Sequence, residues 1–123
     1  MEIVHTQNAP AAIGPYSQAV KVGSMVFTSG QIPINPATGN IEAQTIEEQT
    51  EQVCKNIAAV LEAAGSSLDK VVKTVCFLSD MDNFAAFNQV YARYFTSCPA
   101  RSCVAVKTLP KNVLVEVDTI AEI

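Results

Sequence analysis

The sequence predicts an α+β fold in which two helices pack on one face of a mixed sheet of about six strands. Apolar residues recur at the three- and four-residue spacing of a helix in two segments, residues 45–64 and 84–95. The other apolar segments are short, rich in β-branched and aromatic residues, and bounded by turn residues, as strands are. With 123 residues, the chain can bury a core and is expected to form one domain, residues 1–123.

The N-terminal part of the chain predicts an edge strand followed by a hairpin. Residues 3–5 form the edge strand, and residues 19–22 and 25–29 form the hairpin strands, joined by Gly23-Ser24. Gly30 then interrupts the strand pattern. A glycine at such a point indicates a bulge or bend, or a place where a ligand or another backbone comes close.

Both predicted helices carry start signals. Thr45 and Glu48 form a capping box at the first helix. Asp80 or Asp82 can cap the second helix. The apolar face of this second helix contains Phe84, Phe87, Val90 or Tyr91, and Tyr94 or Phe95. The segment Ser97-Cys98-Pro99 is expected to end it, because the residue before a proline is pushed out of helical geometry.

Three more strands are predicted in the second half of the chain. Residues 71–79 form a well-buried strand that precedes the second helix. Residues 101–107 and 113–120 form the last two strands, which are expected to pair as a hairpin through residues 108–112.

The sheet face turned away from the helices is expected to be too apolar to be left to water. It is expected to receive Cys103, Ala105, Val115 and Val117 or their neighbours. The chain is therefore expected to form a homo-oligomer that buries this face.

Composition narrows the classes of partner and compartment. The formal net charge of −4 and a pI near 4.8 oppose a general attraction to nucleic acid or to an anionic membrane surface. The N-terminus lacks the features of a signal peptide, and no segment approaches the ~20 apolar residues of a membrane span. A cytoplasmic protein is expected. The four cysteines are dispersed and are expected to stay reduced.

Arg101 and Glu116 are the two residues whose positions most need an explanation. Arg101 follows a proline at the start of a strand, and Glu116 lies within an otherwise apolar strand, where an ionised carboxylate is costly unless it is paired or used. If the two converge, they could clamp a substrate carboxylate and activate water. Spacing alone favours a simple Arg–Glu salt bridge, and convergence depends on the register of the predicted hairpin.

Other catalytic arrangements have weaker support. His5 is the only histidine and has no nucleophile at a recognisable spacing, and the dispersed cysteines predict no metal site. Cys103 could be a nucleophile beside Arg101, but a small buried spacer is the favoured interpretation. Tyr16, directly after Gly14-Pro15, could line a pocket or belong to the core.

Five segments spanning nearly the whole chain resemble the signature segments of the RidA/YjgF family, the reactive intermediate deaminases. They are Gly14 to Ala19, Thr28 to Pro33, Asn83-Phe84 through Asn88 to Tyr91, Pro99 to Val104, and Leu109 to Val113 through Glu116. The resemblance implies a chorismate-mutase-like fold and a homotrimer whose sheets form a central barrel, with sites in the clefts between subunits.

The resemblance also implies an activity and a set of site residues. Family members hydrolyse 2-imino acids or their enamine tautomers, such as 2-iminopropanoate and 2-iminobutanoate, to 2-oxo acids and ammonia without a cofactor. Arg101 would bind the substrate carboxylate and Glu116 would activate the attacking water. The residues that would shape or contact the ligand are Tyr16, Ser29, Gly30, Asn88 and Cys103.

Two departures and two alternatives accompany this resemblance. Many members carry a glutamate where this chain has Ala105, and an arginine before the Leu-Pro where this chain has Lys107-Thr108. These changes bear on pairing between subunits and on substrate preference. The alternative functions are a non-catalytic ligand-binding regulator that uses the same cleft, and an RNA-cleaving translational inhibitor.

Overall fold

A computed structural model describes all residues, 1–123. The strands are β1 (Glu2–Val4), β2 (Ala19–Val22), β3 (Met25–Thr28), β4 (Val71–Leu78), β5 (Ala100–Ala105) and β6 (Val115–Glu122). The helices are α1 (Ile46–Ala63) and α2 (Phe84–Tyr94). They pack on one face of a single six-stranded sheet of order β1-β2-β3-β6-β4-β5. The predicted α+β class, mixed sheet and pair of helices are confirmed.

The hairpin of β2 and β3 forms as predicted. Val22 pairs with Met25 across the Gly23-Ser24 turn, and Gly23 has the positive φ of 60° that such turns favour in glycine. β3 then pairs with β6 as far as Phe27 and Ile120, and pairing resumes only between Gln31 and Val117.

A bulge therefore separates these two pairings. Residues 28–30 on one strand lie opposite residues 118 and 119 on the other, which is one extra residue on the first strand. Gly30 is part of this bulge, in agreement with the interruption that the sequence indicated.

α1 begins as its capping box predicts, but the prediction that Asp80 or Asp82 caps the second helix is wrong. The N-cap of α2 is Asn83, whose side chain makes no capping hydrogen bond. The Thr45 hydroxyl accepts from the Glu48 amide, and the Glu48 carboxylate accepts from the Thr45 amide. Asp80 caps a short 3₁₀ turn over residues 81–83 that leads into α2. α2 ends at Tyr94, before the predicted Ser97-Cys98-Pro99 segment, because Phe95 turns out of the helix and stacks on Tyr91 in the core.

The predicted hairpin between the last two strands is wrong. β5 runs parallel to β4 at the sheet edge, whereas β6 lies between β3 and β4 and is antiparallel to both. α2 connects β4 to β5 and provides the crossover that a parallel pair requires. β6 alternates buried and half-buried residues, as a strand with one face on the core does.

The two faces of the sheet differ in what covers them. Val115 and Val117 face the helices and belong to the buried core, and Cys103 packs against it. Of the two alternatives that the sequence left open, the structure shows the second: the neighbours of these residues point away from the helices. The uncovered face, called the open face below, carries the apolar side chains of Ile3, Val20, Val22, Phe27, Val75, Phe77, Val104 and Ile120.

Membrane insertion of either helix has no support in the fold. Neither α1 nor α2 combines the length and the apolar character that crossing a membrane requires.

Candidate functional site

Arg101 lies on the edge strand β5 and points to the helix side of the sheet. It is paired in register with the buried Thr74 of β4. Its Nη1 donates a hydrogen bond of 2.7 Å to Asn88 Oδ1, and its guanidinium carbon lies 4.9 Å from the centre of the Tyr91 ring and 5.4 Å from that of Phe84. These contacts orient the guanidinium and leave N–H donors free for an anion.

Asn88 owes its role to its place beside the apolar stripe of α2. Phe87 and Tyr91 enter the core, and Asn88 lies beside that stripe, where its amide reaches the Arg101 side chain on the edge strand. The sequence pattern alone does not reveal this pairing, because it depends on the parallel placement of β5 beside β4.

Cys103 lies two residues beyond Arg101 on the same face and is half-buried. Burial raises the pKa of its thiol, and the nearby Arg101 opposes that shift without overcoming it. The thiol is therefore protonated at neutral pH, which makes it a poor nucleophile. This electrostatic environment favours the spacer interpretation.

Glu116 lies on β6 and points to the opposite, open face, where it is paired in register with Phe77. A Cβ atom placed on Gly30 would overlap the Glu116 carboxylate and come within 2.9 Å of its Cδ atom. Gly30 therefore gives the carboxylate its space. Burial raises the pKa of Glu116, and the like charge of Asp118 raises it further.

A cleft of about 430 Å³ opens beside Glu116. Tyr16, which is 52% exposed, forms part of its wall. The Ser29 hydroxyl also lines it and donates a 2.6 Å hydrogen bond to the Ser17 carbonyl. The lining residues are Pro10, Ala11, Ile13, Tyr16, Gln18, Ser29, Gly30, Gln31, Ile32, Ile34, Pro110, Lys111 and Glu116.

Lys111 is a lining residue of the cleft that the sequence did not indicate. Its φ of 56° and the φ of 55° at Asn112 place two consecutive residues in the left-handed region. This conformation is uncommon for lysine and strains the backbone. The Pro110-Lys111-Asn112 turn after Leu109 was the available signal, since asparagine tolerates that region better than most residues do.

The predicted site residues thus fall into two groups within one chain. Tyr16, Ser29, Gly30 and Glu116 share the cleft described above, whereas Arg101 and Asn88 line a second cleft beside α2 and Pro99. Two strand spacings and three residues along the strand separate the Cα atoms of Arg101 and Glu116 by about 14 Å, on opposite faces of the sheet.

Arg101 and Glu116 therefore form no salt bridge within the chain. The ion pairs present are Lys21 with Glu2 and Lys55 with Glu51. The salt bridge that spacing favoured is wrong because β4 lies between β5 and β6.

Two further cysteines lie in the core, and the acidic residues form no cluster that could hold a metal ion. Cys54 and Cys76 are buried, and burial raises the pKa of each thiol to about 12. No group of three histidine, cysteine, aspartate or glutamate side chains lies close enough together to hold a metal ion.

Comparison with known proteins agrees with this fold over its full length. The family model described as Endoribonuclease L-PSP matches residues 6–123. A RutC family protein of Pyrococcus horikoshii is 54% identical over 121 residues, which cover 98% of this chain and 96% of that protein.

Two solved structures are similarly close. The crystal structure of Escherichia coli TdcF with bound serine has a TM-score of 0.95 and 45% identity, covering 100% of this chain and 99% of that one. RidA from an Antarctic Psychrobacter has a TM-score of 0.95 and 44% identity, covering 100% of both chains. The predicted RidA/YjgF resemblance is confirmed, and the chain belongs to the endoribonuclease L-PSP family, in which proteins are named RutC and RidA.

Proposed function

We propose that the protein is a cofactor-independent deaminase that hydrolyses reactive 2-imino acids, or their enamine tautomers, to 2-oxo acids and ammonia. 2-Iminopropanoate and 2-iminobutanoate are the proposed substrates. The observation that carries the proposal is that neither Arg101 nor Glu116 is neutralised within the chain. A charged residue that folding leaves unpaired at a cleft is available to a ligand.

Arg101 is the carboxylate clamp of the proposed site. Its planar guanidinium matches the two oxygens of a carboxylate, and Asn88, Tyr91 and Phe84 fix its orientation. Holding the carboxylate places the adjacent imine carbon at a defined position, which lowers the entropic part of the barrier. Asn88 is therefore a positioning residue in the proposal.

Glu116 is the base that activates water. Protonated imine nitrogen makes C2 electrophilic, the water oxygen bonds to C2, and the Glu116 carboxylate takes a proton from that water. The resulting carbinolamine carries a hydroxyl and an amino group on C2. Return of that proton from Glu116 to the amino nitrogen lets the C2–N bond break and ammonia leave with the bonding electron pair. The hydroxyl becomes the carbonyl of the 2-oxo acid as the ionised Glu116 takes its proton, which then passes to solvent.

The two charged residues meet across an interface between copies of the chain. Within one copy they lie on opposite faces of the sheet, so the Arg101 group of one copy must face the Glu116 cleft of another. The open face supplies the contact surface, since Phe27 is 39% and Val104 48% exposed there. A homotrimer with three such sites is the assembly we propose.

The other site residues shape the space around the ligand. Gly30 lets a ligand approach the backbone beside Glu116, and the backbone at Cys103 continues the strand from Arg101. Tyr16 and Ser29 form the wall on the Glu116 side. TdcF binds serine, a small amino acid that carries a carboxylate. A carboxylate is the group that Arg101 would hold in this chain.

Ammonia release tests the proposal directly. Imines generated in situ by a threonine dehydratase are offered to the purified protein and to its Arg101→Ala variant. The wild-type protein is expected to accelerate ammonia release, and the variant to lose roughly 100-fold or more while keeping its fold and assembly. No acceleration by the wild-type protein would contradict the proposal and leave a ligand-binding regulator.

The same preparation tests the endoribonuclease alternative. The net charge of −4 opposes binding of a polyanion, so no RNA cleavage is expected from the purified assembly. Cleavage that survives Arg101→Ala and follows the protein through purification would favour the RNA-cleaving function instead.

A further inference from the structure

Every buried amide side chain of the protein lies at the Glu116 cleft or holds one of its walls. These amides belong to Gln18, Gln31, Gln49 and Asn56. Gln31 lines the cleft and pairs through its backbone with Val117. The other three are 3%, 6% and 1% exposed, and each one hydrogen-bonds the backbone of a different wall.

Gln18 holds the N-terminal wall. Its Oε1 accepts a 2.8 Å hydrogen bond from the Thr6 amide. Its Nε2 donates to the carbonyls of Thr6 at 3.0 Å and Pro10 at 2.8 Å. Pro10 is a lining residue of the cleft. One side chain directly before β2 therefore ties a loop without regular secondary structure to the sheet.

Asn56 holds the wall that follows the bulge. From the middle of α1, its Nδ2 donates to the Ile34 carbonyl at 2.9 Å and to the Ile32 carbonyl at 3.1 Å. Its Oδ1 accepts from Gln52 Nε2 at 2.9 Å. Ile32 and Ile34 both line the cleft, so this amide connects that wall to the helix.

Gln49 holds the wall that leads into Glu116. Its Oε1 accepts a 2.8 Å hydrogen bond from the Leu114 amide, and its Nε2 donates to the Ala43 carbonyl at 3.1 Å. Leu114 lies between the turn that carries Lys111 and the strand that carries Glu116. This bond therefore fixes the backbone two residues before the carboxylate.

We infer that Gln18, Gln49 and Asn56 are positioning residues that fix the three walls of the Glu116 cleft before substrate binds. Burying an amide is costly unless its donors and acceptors are satisfied, and here the loop backbones satisfy them. Apolar side chains would fill the same space without orienting those loops. The three amides act through the walls rather than on the substrate.

The kinetic test rests on the proposed deaminase function and compares two neighbouring residues of α1. Gln49→Met keeps an unbranched side chain of similar length but removes both hydrogen bonds. It is expected to lower kcat by roughly 10-fold or more, with a smaller change in KM, because it loosens the backbone that carries Glu116. Gln49→Glu keeps an acceptor for the Leu114 amide and is expected to recover most of the lost kcat.

Thr50→Val is the matched control. Thr50 is fully buried beside Gln49, and its hydroxyl has no hydrogen-bond partner, so the near-isosteric change leaves every wall intact. Its kcat is expected to equal that of the wild-type protein. An unchanged kcat in Gln49→Met, or an equal loss in Thr50→Val, would overturn the inference.

Amide hydrogen exchange on the wild-type protein tests the hydrogen bonds of Gln18 and Gln49 without reference to catalysis. The amides of Thr6 and Leu114 are expected to exchange roughly 10-fold or more slowly than that of the exposed Lys111. Equal exchange at all three would overturn the inference even if the protein is a deaminase. Slow exchange in a protein without deaminase activity would contradict the proposed function, but it would still support the conclusion that the buried amides fix the walls of the cleft.

Discussion

Glu116 is held in an environment that disfavours its charge. It is half-buried, its only close ionisable neighbour on the strand is Asp118, and both effects raise its pKa. Burial also raises the pKa of Asp118. A general base with a raised pKa accepts a proton from water more readily, provided that it is still ionised at the working pH. The electrostatic cost of this placement is consistent with a role in catalysis rather than in stability.

Glu116→Gln separates catalysis from stability. The variant is expected to bind a 2-oxo acid but to lose roughly 100-fold or more in turnover, because the amide cannot accept the water proton. Its thermal midpoint at neutral pH is expected to be no lower than that of the wild-type protein. Within a single subunit the folded-state pKa of Glu116 exceeds the unfolded one, so the stability of the subunit falls as pH rises through that interval, and the amide avoids this loss. Undiminished turnover would move the base elsewhere.

Asp118→Asn is expected to shift the acid limb of the kcat profile to lower pH. The variant removes the like charge that raises the pKa of Glu116, so the base stays ionised further into the acid range. Glu47→Gln, which makes the same charge change on the exposed first turn of α1, is the control and should leave the limb in place. A limb that does not move in Asp118→Asn would contradict the assignment of Glu116 as the titrating base.

The bulge at the end of β3 is the structural element that makes the Glu116 cleft possible. One extra residue between the Phe27 and Gln31 pairings carries the backbone away from regular pairing with β6. Gly30 occupies that position because any side chain there would overlap the Glu116 carboxylate. The interruption of the strand pattern at Gly30 was visible in the sequence, but the contact of Gly30 with Glu116 was not.

Gly30→Ala is expected to lower activity by roughly 10-fold or more with little loss of stability. The three heavy atoms nearest to the added Cβ all belong to the Glu116 side chain, so the carboxylate must move from its place in the cleft. Gly23→Ala is the matched control. No heavy atom lies within 4 Å of a Cβ built at Gly23, but its φ of 60° is strained for alanine. It should lose about 1 kcal/mol of stability and keep its activity. Full activity in Gly30→Ala, or a loss of activity in Gly23→Ala, would contradict the role of Gly30 in making room for the Glu116 carboxylate.

Local elements were predictable because local chemistry determines them. The capping box at Thr45, the Gly23-Ser24 turn and the apolar stripe through Phe87 are all set by neighbouring residues. The place of β5 was not predicted, since two strands close in sequence favour a hairpin. The helix between β4 and β5 was the overlooked signal, because a helical crossover normally joins parallel strands.

The residues of the candidate site were predictable from the sequence, but their arrangement was not. Arg101 and Glu116 stand out in the sequence because a charge in a strand needs a reason. Their relative position depends on strand order, and β4 separates them. The hydrogen bond from Arg101 to Asn88, the place of Lys111 in the cleft and the wall contacts of the three buried amides become visible only when the elements are assembled.

At the scale of the whole molecule, the open face is an apolar surface of the sheet that no part of the single chain covers. Its apolar side chains include Val104 beside Phe77 and Phe27 beside Ile120. Monomers rarely leave such a continuous patch to solvent. The same face carries Glu116, so a contact between copies that buried the patch would also complete the proposed site.

Val104→Asp is expected to dissociate the assembly and abolish activity, because an unpaired charge in a buried interface is strongly destabilising. Sedimentation velocity measures the assembly. Met81→Asp is the control, since Met81 is also apolar and exposed, at 42%, but lies in the turn before α2. A Val104→Asp protein that sediments like the wild type would show that the open face is not the interface.

Mixing two inactive variants tests the central claim, which is that Arg101 of one copy and Glu116 of another form one site. Arg101→Ala and Glu116→Gln are each expected to be inactive alone. Trimers reassembled from an equal mixture should regain about a quarter of wild-type activity, because each site then has independent even chances of an intact arginine and an intact glutamate. A mixture that assembles fully but remains inactive would contradict the claim.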